Sequence, residues 1–318
     1  MYSYYNDEHL QAEIKEYWWS YLTMTNNIFP FRKIQGLHWM YFVANLMQYY
    51  ILVMVPAIYN YQRKRGRQSV IVYLLFLIAA SMAYLGTMTG MNDFSSMMTV
   101  DEESTYDELF RFPLGPVGYY ALGILLAIFY FEYSQSVSNK DLKTYRAYRF
   151  MKHVGASKTR TLGYQILGSC LSLFVVFIRY SSFAFIDRKG QSPQAVEMGR
   201  WPLWLNVIFN AFAHYLYIIG VVLLFLPIFI GKLSLLRDFF GAAFFRPFSR
   251  TNYTIACSQG LFLLFIYFSQ QQMLLFEHKN FLFLFCGVLI NGYILNLGLS
   301  LFVEWPFRTM GKVVFSAP

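Results

Sequence analysis

Residues 202–231 read PLWLNVIFNAFAHYLYIIGVVLLFLPIFIG, thirty positions without one Asp, Glu, Lys or Arg. An α-helix needs about 20 consecutive apolar residues to cross roughly 30 Å of hydrocarbon, and this run exceeds that length. Six further segments share the character: 37–59, 69–90, 115–133, 162–186, 253–275 and 281–303. Of 318 residues, 57% are hydrophobic, 20% aromatic and 14% charged, whereas a soluble domain carries about 25% charged residues. The chain therefore reads as an integral membrane protein. Barrel strands would alternate apolar and polar residues over about 10 positions, so the expected fold is all-α, a polytopic transmembrane helical bundle of about seven spans. Residues 1–36 form an extramembrane N-terminal segment, 37–303 the bundle and 304–318 a short tail. Trp39, Tyr119, Trp201, Trp204 and Trp305 flank the spans as interfacial aromatics. The fifth span is long enough to tilt, or to kink at Pro227.

Charge sorts the loops into two sides. Segments 61–68, 134–161, 232–252 and the C-terminus together hold 17 of the 26 Lys and Arg. The N-terminus, 91–114, 187–201 and 276–280 hold 8, and Arg179 lies within a span. Acids run the other way, with 13 of 17 on the second side and six of them between Asp93 and Glu108. The positive-inside rule then places the basic loops in the cytoplasm or the mitochondrial matrix, with the N-terminus out and the C-terminus in. The formal charge of +9 is thus topological and calls for no nucleic acid. Within the basic segment 140–160, Lys143, Arg146, Arg149 and Lys152 interleave with Tyr145, Tyr148, Phe150, Met151 and Val154. That pattern suits an amphipathic helix lying on anionic phospholipid, and equally a solvated connecting loop.

Residues 1–35 show neither a basic region with an apolar core nor an Arg-rich, acid-poor leader, so no signal or transit peptide is expected. Cys170, Cys257 and Cys286 all fall in predicted spans. They imply no disulfide framework and no metal motif, and read as buried small hydrophobes. No cofactor is expected. The sequon Asn252-Tyr253-Thr254 sits on the basic side, where it would go unused.

Polar side chains in hydrocarbon are costly, so their placement carries information. Asn206, Asn210 and His214 recur every four residues on one face of the fifth span. Asn45 and Gln48 share a face of the first. Ser258, Gln259, Asn291, Asn296 and Arg179 add further polar positions. One reading is a polar cavity in which His214 acts as general base or proton carrier, with Asn45, Gln48 and Asn210 binding an acceptor. The other is structural glue, hydrogen bonds across helices worth about 0.6–2 kcal/mol each. No Asp or Glu stands beside His214 in the pattern, which favours glue. Glu132 and Glu304, at span ends near the basic side, suit ordinary interfacial pairing.

Several motifs run together along the chain: Tyr17-Trp18-Trp19, Thr25-Asn26-Asn27-Ile28-Phe29-Pro30, and Trp39 to Tyr50 with Asn45 and Met47-Gln48 at its centre. Then come Arg111, Pro113, Gly115-Pro116, Tyr119 and Gly123, followed by Arg246-Pro247-Phe248-Ser249-Arg250-Thr251-Asn252-Tyr253 and Glu304-Trp305-Pro306. In this order they resemble the C-terminal part of the acyltransferase type 3 superfamily, in its nose-resistant-to-fluoxetine-like branch. The resemblance implies a helical membrane bundle and O-acyl transfer. It also marks departures. The family's front spans, with their catalytic His and Val-Asp-x-Phe-Phe box, have no counterpart here, Leu46 stands where the family has Asp, and Gln259 where it has His. Acyl transfer needs a base to activate the accepting hydroxyl. The expectation is therefore a non-catalytic accessory subunit of a larger membrane complex, in the mitochondrial inner membrane as part of a respiratory assembly, with other membrane subunits and anionic phospholipids as partners. The alternative is an O-acyltransferase active as one half of a split enzyme.

Overall fold

The computed structural model describes residues 7–29, 40–63, 66–92, 94, 107–138, 146–178, 201–232, 237–239, 241–245, 249, 278–307 and 309–310. The sixth expected span, 253–275, lies outside these residues, as do Lys143, Arg179, Cys257, Ser258, Gln259 and the sequon. The chain divides into two compact units, Met1–Ile34 with Tyr41–Ser234, and Gln35–Met40 with Leu235–Pro318.

Every regular element among the described residues is helical. In the first unit α1 (Asp7–Leu22) precedes the bundle. Next comes a span built from α2 (Tyr41–Tyr49), a π-helical turn (Tyr50–Met54) and α3 (Val55–Tyr61). Then follow α4 (Gly66–Asn92), a second π turn (Asp107–Arg111), α5 (Val117–Ser138), the short α6 (Arg146–Val154), α7 (Lys158–Ile178) and α8 (Leu203–Phe229). In the second unit α9 (His278–Leu299) runs into a π turn, Ser300–Glu304, over the seventh apolar segment. Five helices among the described residues are long and apolar enough to cross a membrane: 41–61, 66–92, 117–137, 158–178 and 203–229. The protein is an integral membrane protein with at least these five candidate spans. The fourth begins earlier than 162, because Lys158 and Arg160 already sit in the first turns of α7.

The π turn in the first span has a local cause. Pro56 lacks the N–H that would bond the carbonyl of Leu52 four residues back, and the Tyr73 hydroxyl of α4 donates to that carbonyl at 2.8 Å. Pro227 is tolerated near the end of α8. There Gly231 adopts a left-handed φ of +77° and Lys232 N–H donates to Pro227 O at 2.9 Å, closing the helix.

Helix α4 is the hub, packing against α3, α5 and α8. Its buried positions are Gly66, Val70, Leu74, Ser81, Leu85 and Thr89, a stripe one turn apart or multiples of it. Val72, Leu75 and Phe76 face outward. The stripe mixes Val70, Leu74 and Leu85 with Gly66, Ser81 and Thr89, and large apolar residues also face outward, because lipid tails are as apolar as Leu and leave close packing and interhelical hydrogen bonds to hold the helices together. The cysteines depart from the expectation of burial, since Cys170 and Cys286 are both exposed on their helices. Trp201 also departs from expectation. It is buried against Phe209, with ring centroids 5.2 Å apart, whereas Trp204 stays exposed.

Helix α7 joins α8 by backbone approach. A Cβ added at Gly168 would lie 2.5 Å from Leu224 N and 2.6 Å from Gly220 O, and one at Gly220 would lie 2.9 Å from Ser172 N. Nothing lies within 4 Å of a Cβ at Gly163. Gly168→Leu should therefore cost roughly 1–3 kcal/mol, the typical penalty of overpacking, read as a lowered Tm in detergent, while Gly163→Ala, with open space at its Cβ, holds or raises Tm. Equal Tm values for both variants would contradict the close approach.

Candidate functional site

Three segments meet at the hydroxyl of Ser81, which is fully buried. Its Oγ donates to the carbonyl of Gly115, at the start of α5, and accepts the Tyr215 hydroxyl of α8 at 2.8 Å. Gly118 faces this junction, and any Cβ there would collide with Tyr215 Oη and Ser81. Two turns further along α4, the Thr89 hydroxyl donates to Leu85 O at 2.7 Å and accepts Asn210 Nδ2 at 3.2 Å. Asn206 Nδ2 donates to Trp201 O at 3.1 Å. The polar face of the fifth predicted span is thus used one residue at a time, on different partners.

A second network fixes the N-terminal segment on the bundle. Asn27, fully buried, donates through Nδ2 to Asn45 Oδ1 at 2.6 Å and to Gln48 Oε1 at 3.0 Å. Gln48 Nε2 returns bonds of 2.8 Å to Asn27 Oδ1 and to Met24 O. Met24 has a left-handed φ of 55°, which costs a non-glycine residue about 1–2 kcal/mol, and the amide of Gln48 holds its carbonyl in place. Asn45 Nδ2 donates onward to Arg111 O at 3.3 Å.

Arg111 is the least expected member. Its side chain is 1% exposed, the largest fully buried one among the described residues. One Nη2 donates to Asn26 O at 2.8 Å. The π turn that carries it is itself buried: Leu109 packs with Leu85 and Phe94, and Tyr84 Oη donates to Glu108 O at 2.8 Å. Tyr49 Oη donates to Pro113 O at 2.7 Å. Segment 107–116 is therefore folded into the protein between α1's following turn, α2 and α4.

His214 sits on the opposite side of the same turn. Its ring stacks on Tyr119 at 5.3 Å and meets Phe110 edge-on at 5.3 Å, and Tyr119 in turn contacts Tyr215 at 4.9 Å. Of the four residues expected at one site, the structure brings Asn45 and Gln48 together through Asn27. It gives Asn210 to Thr89 and sets His214 among aromatic rings. The missed residues are Arg111, Asn27, Ser81 and Thr89. Asn27 and Arg111 do stand within the quoted motifs, which was the only sign of them.

On the basic side, Glu132 of α5 is buried and takes a two-point ion pair from Arg67 of α4, with Nη2 to Oε2 at 2.8 Å. Helix α6 buries Ala147, Met151 and Val154, the last two beneath Leu226 of α8. It leaves Arg146, Arg149 and Lys152 exposed, so 146–154 is an amphipathic helix, the first of the two readings of this segment. No group of His, Cys, Asp and Glu able to hold a metal occurs among the described residues.

No family model, curated protein or solved structure matches the chain.

Arg111→Met should cost about 1–3 kcal/mol, since it leaves the buried carbonyl of Asn26 without that donor. Amide hydrogen exchange in residues 24–29 should rise with it. Tyr215→Phe should cost only about 0.6–1.7 kcal/mol, because Ser81 keeps its bond to Gly115 O. Unchanged exchange at 24–29 in the Arg111 variant would show that the network does not hold the segment.

Proposed function

We propose that this protein is a non-catalytic integral membrane subunit, a structural or accessory component of a larger membrane complex. The observation that carries the reading is where the intramembrane polar groups go. Asn45, Gln48, Asn210, Ser81, Thr89 and Tyr215 bond one another, neighbouring side chains and backbone carbonyls, and so fix segments in place. His214 is set among the rings of Phe110 and Tyr119, an arrangement that suits packing.

The N-terminal segment supports a partner. Trp18, Trp19 and Leu22 of α1 and Ile28 and Phe29 beyond it are exposed outside the spans, with Trp19 and Phe29 rings 5.8 Å apart. Apolar patches of this kind mark protein or membrane contacts. The exposed cations of α6 suit anionic phospholipid on the same terms. As host we propose a respiratory assembly of the mitochondrial inner membrane, with the acidic side outward and the basic loops in the matrix. The charge asymmetry of the loops supports that orientation. The bundle itself we take as derived from the acyltransferase type 3 fold, on the motifs quoted above.

Gentle solubilisation followed by native gel and mass spectrometry tests this. The chain should migrate in a particle of many subunits, and His214→Phe should leave both that particle and the acylation of membrane lipids and glycans unchanged. A small particle, or one paired with a chain carrying a Val-Asp-x-Phe-Phe box together with lost acyl transfer in His214→Phe, would replace the reading with a split O-acyltransferase.

A further inference from the structure

Helices α5 and α8 both pack along α4 and touch each other only sparingly. Between them, on the basic side, opens a crevice of about 370 Å³, within the range of about 300–1,000 Å³ typical of small-molecule sites. Its walls are apolar, with Leu125 and Phe129 from α5 and Val222 and Leu226 from α8. One end is charged: Arg67 and Glu132 line it together with Phe150 of α6.

The order of these residues along the spans matches the order of a lipid. Arg67 is the second residue of α4, and Glu132 lies near the end of the 117–137 span, so both sit at headgroup depth. Leu125 is two helical turns deeper, about 10 Å at 1.5 Å per residue. Phe150 packs on Phe129 at 5.8 Å and on Tyr164 at 5.9 Å, which seats α6 across the charged end. One turn before Phe150 on the same helix face is Arg146, with Arg149 beside it, both exposed. The Arg67 side chain is 43% exposed while Glu132 is 5% exposed. The Arg67–Glu132 pair sums to no net charge, and the exposed Arg146 and Arg149, on the helix whose Phe150 lines the crevice, add positive charge at this end of the apolar slot.

We propose that this crevice binds one anionic glycerophospholipid, with an acyl chain between α5 and α8 and the phosphate at the rim of Arg67, Arg146 and Arg149. The lipid contact proposed above for α6 is a surface attraction; here it becomes a defined site with a slot for a chain. The headgroup half rests on that earlier reading, and the slot rests on the crevice alone.

The full chain, purified in detergent, is titrated with phosphatidylglycerol and with phosphatidylcholine of the same acyl chains and read by native mass spectrometry. Each basic residue near a phosphate should contribute roughly fivefold in affinity, so Arg146→Gln with Arg149→Gln should weaken phosphatidylglycerol by about tenfold or more and leave phosphatidylcholine unchanged. Val222→Trp, which fills the slot, should remove most binding of both lipids. Ile219→Phe, at the half-exposed edge of the crevice, makes the same test should the first variant fold poorly. Soluble glycerol phosphate should not compete. Phosphatidylglycerol binding that survives both filling variants and falls only with the arginines would overturn the slot, reducing the site to adsorption on α6. Equal affinity for the two lipids, or a copurifying protein segment in place of lipid, would overturn the proposal altogether.

Discussion

The hydroxyl of Ser81 joins three segments with two hydrogen bonds, to Gly115 O and from Tyr215 Oη, and the rest of the first unit is arranged so that this is possible. The helices have to come close, which removes the side chain at Gly118. Segment 107–116 has to be carried into the protein, which then requires donors and acceptors for its own backbone. Tyr49, Tyr84 and Asn45 donate to its carbonyls, and Arg111 on the segment donates outward to Asn26 O. Irregular backbone at membrane depth persists only where protein satisfies it, so the junction and the networks around Arg111 are one requirement met twice.

The same requirement explains the hydroxyls of Ser81 and Thr89 on the buried stripe of α4. With lipid outside, burying leucine gains nothing, and a bundle holds together through close packing and hydrogen bonds between helices. Helix α7 uses the first means, through Gly168 and Gly220, and α8 uses the second, through Asn210 and Tyr215. On the basic side the ion pair of Arg67 with Glu132 and the docking of α6 take over. There α5 and α8 are braced by α6 instead of by each other.

The spans were legible because length and hydropathy alone decide them: 203–229 and 66–92 fall where the apolar runs lie. The site was legible only in its parts. Asn45 and Gln48 share a helix face, and that much periodicity reveals, but their partner Asn27 lies in a turn that no period describes. Asn206, Asn210 and His214 also share a face by spacing, yet each meets a different neighbour, because steps of four residues set them at successive depths, against Trp201 O, Thr89 of α4 and the rings of Phe110 and Tyr119. Ser81 and Thr89 carried no signal, since hydroxyls are common in spans and bond their own helix as Thr89 does. Arg111 reads as one cation among the acids of a loop, and only the fold shows that residues 108–111 are interior.

The sequence separations of the bonds set an order on the protein's making. Asn27 reaches Asn45 across 18 residues, Tyr49 reaches Pro113 across 64, Arg111 reaches Asn26 across 85, and Tyr215 reaches Ser81 across 134. Chains emerge from the ribosome N-terminus first, so the first span can capture the turn before it long before Arg111 exists. The seal at Ser81 must wait for the last helix of the unit. Until Tyr215 arrives, α4 and α5 sit in the bilayer with polar groups still to be matched. A nascent chain stalled between residues 138 and 203 is thus the form in which quality control, or an insertion chaperone, would find the most to hold.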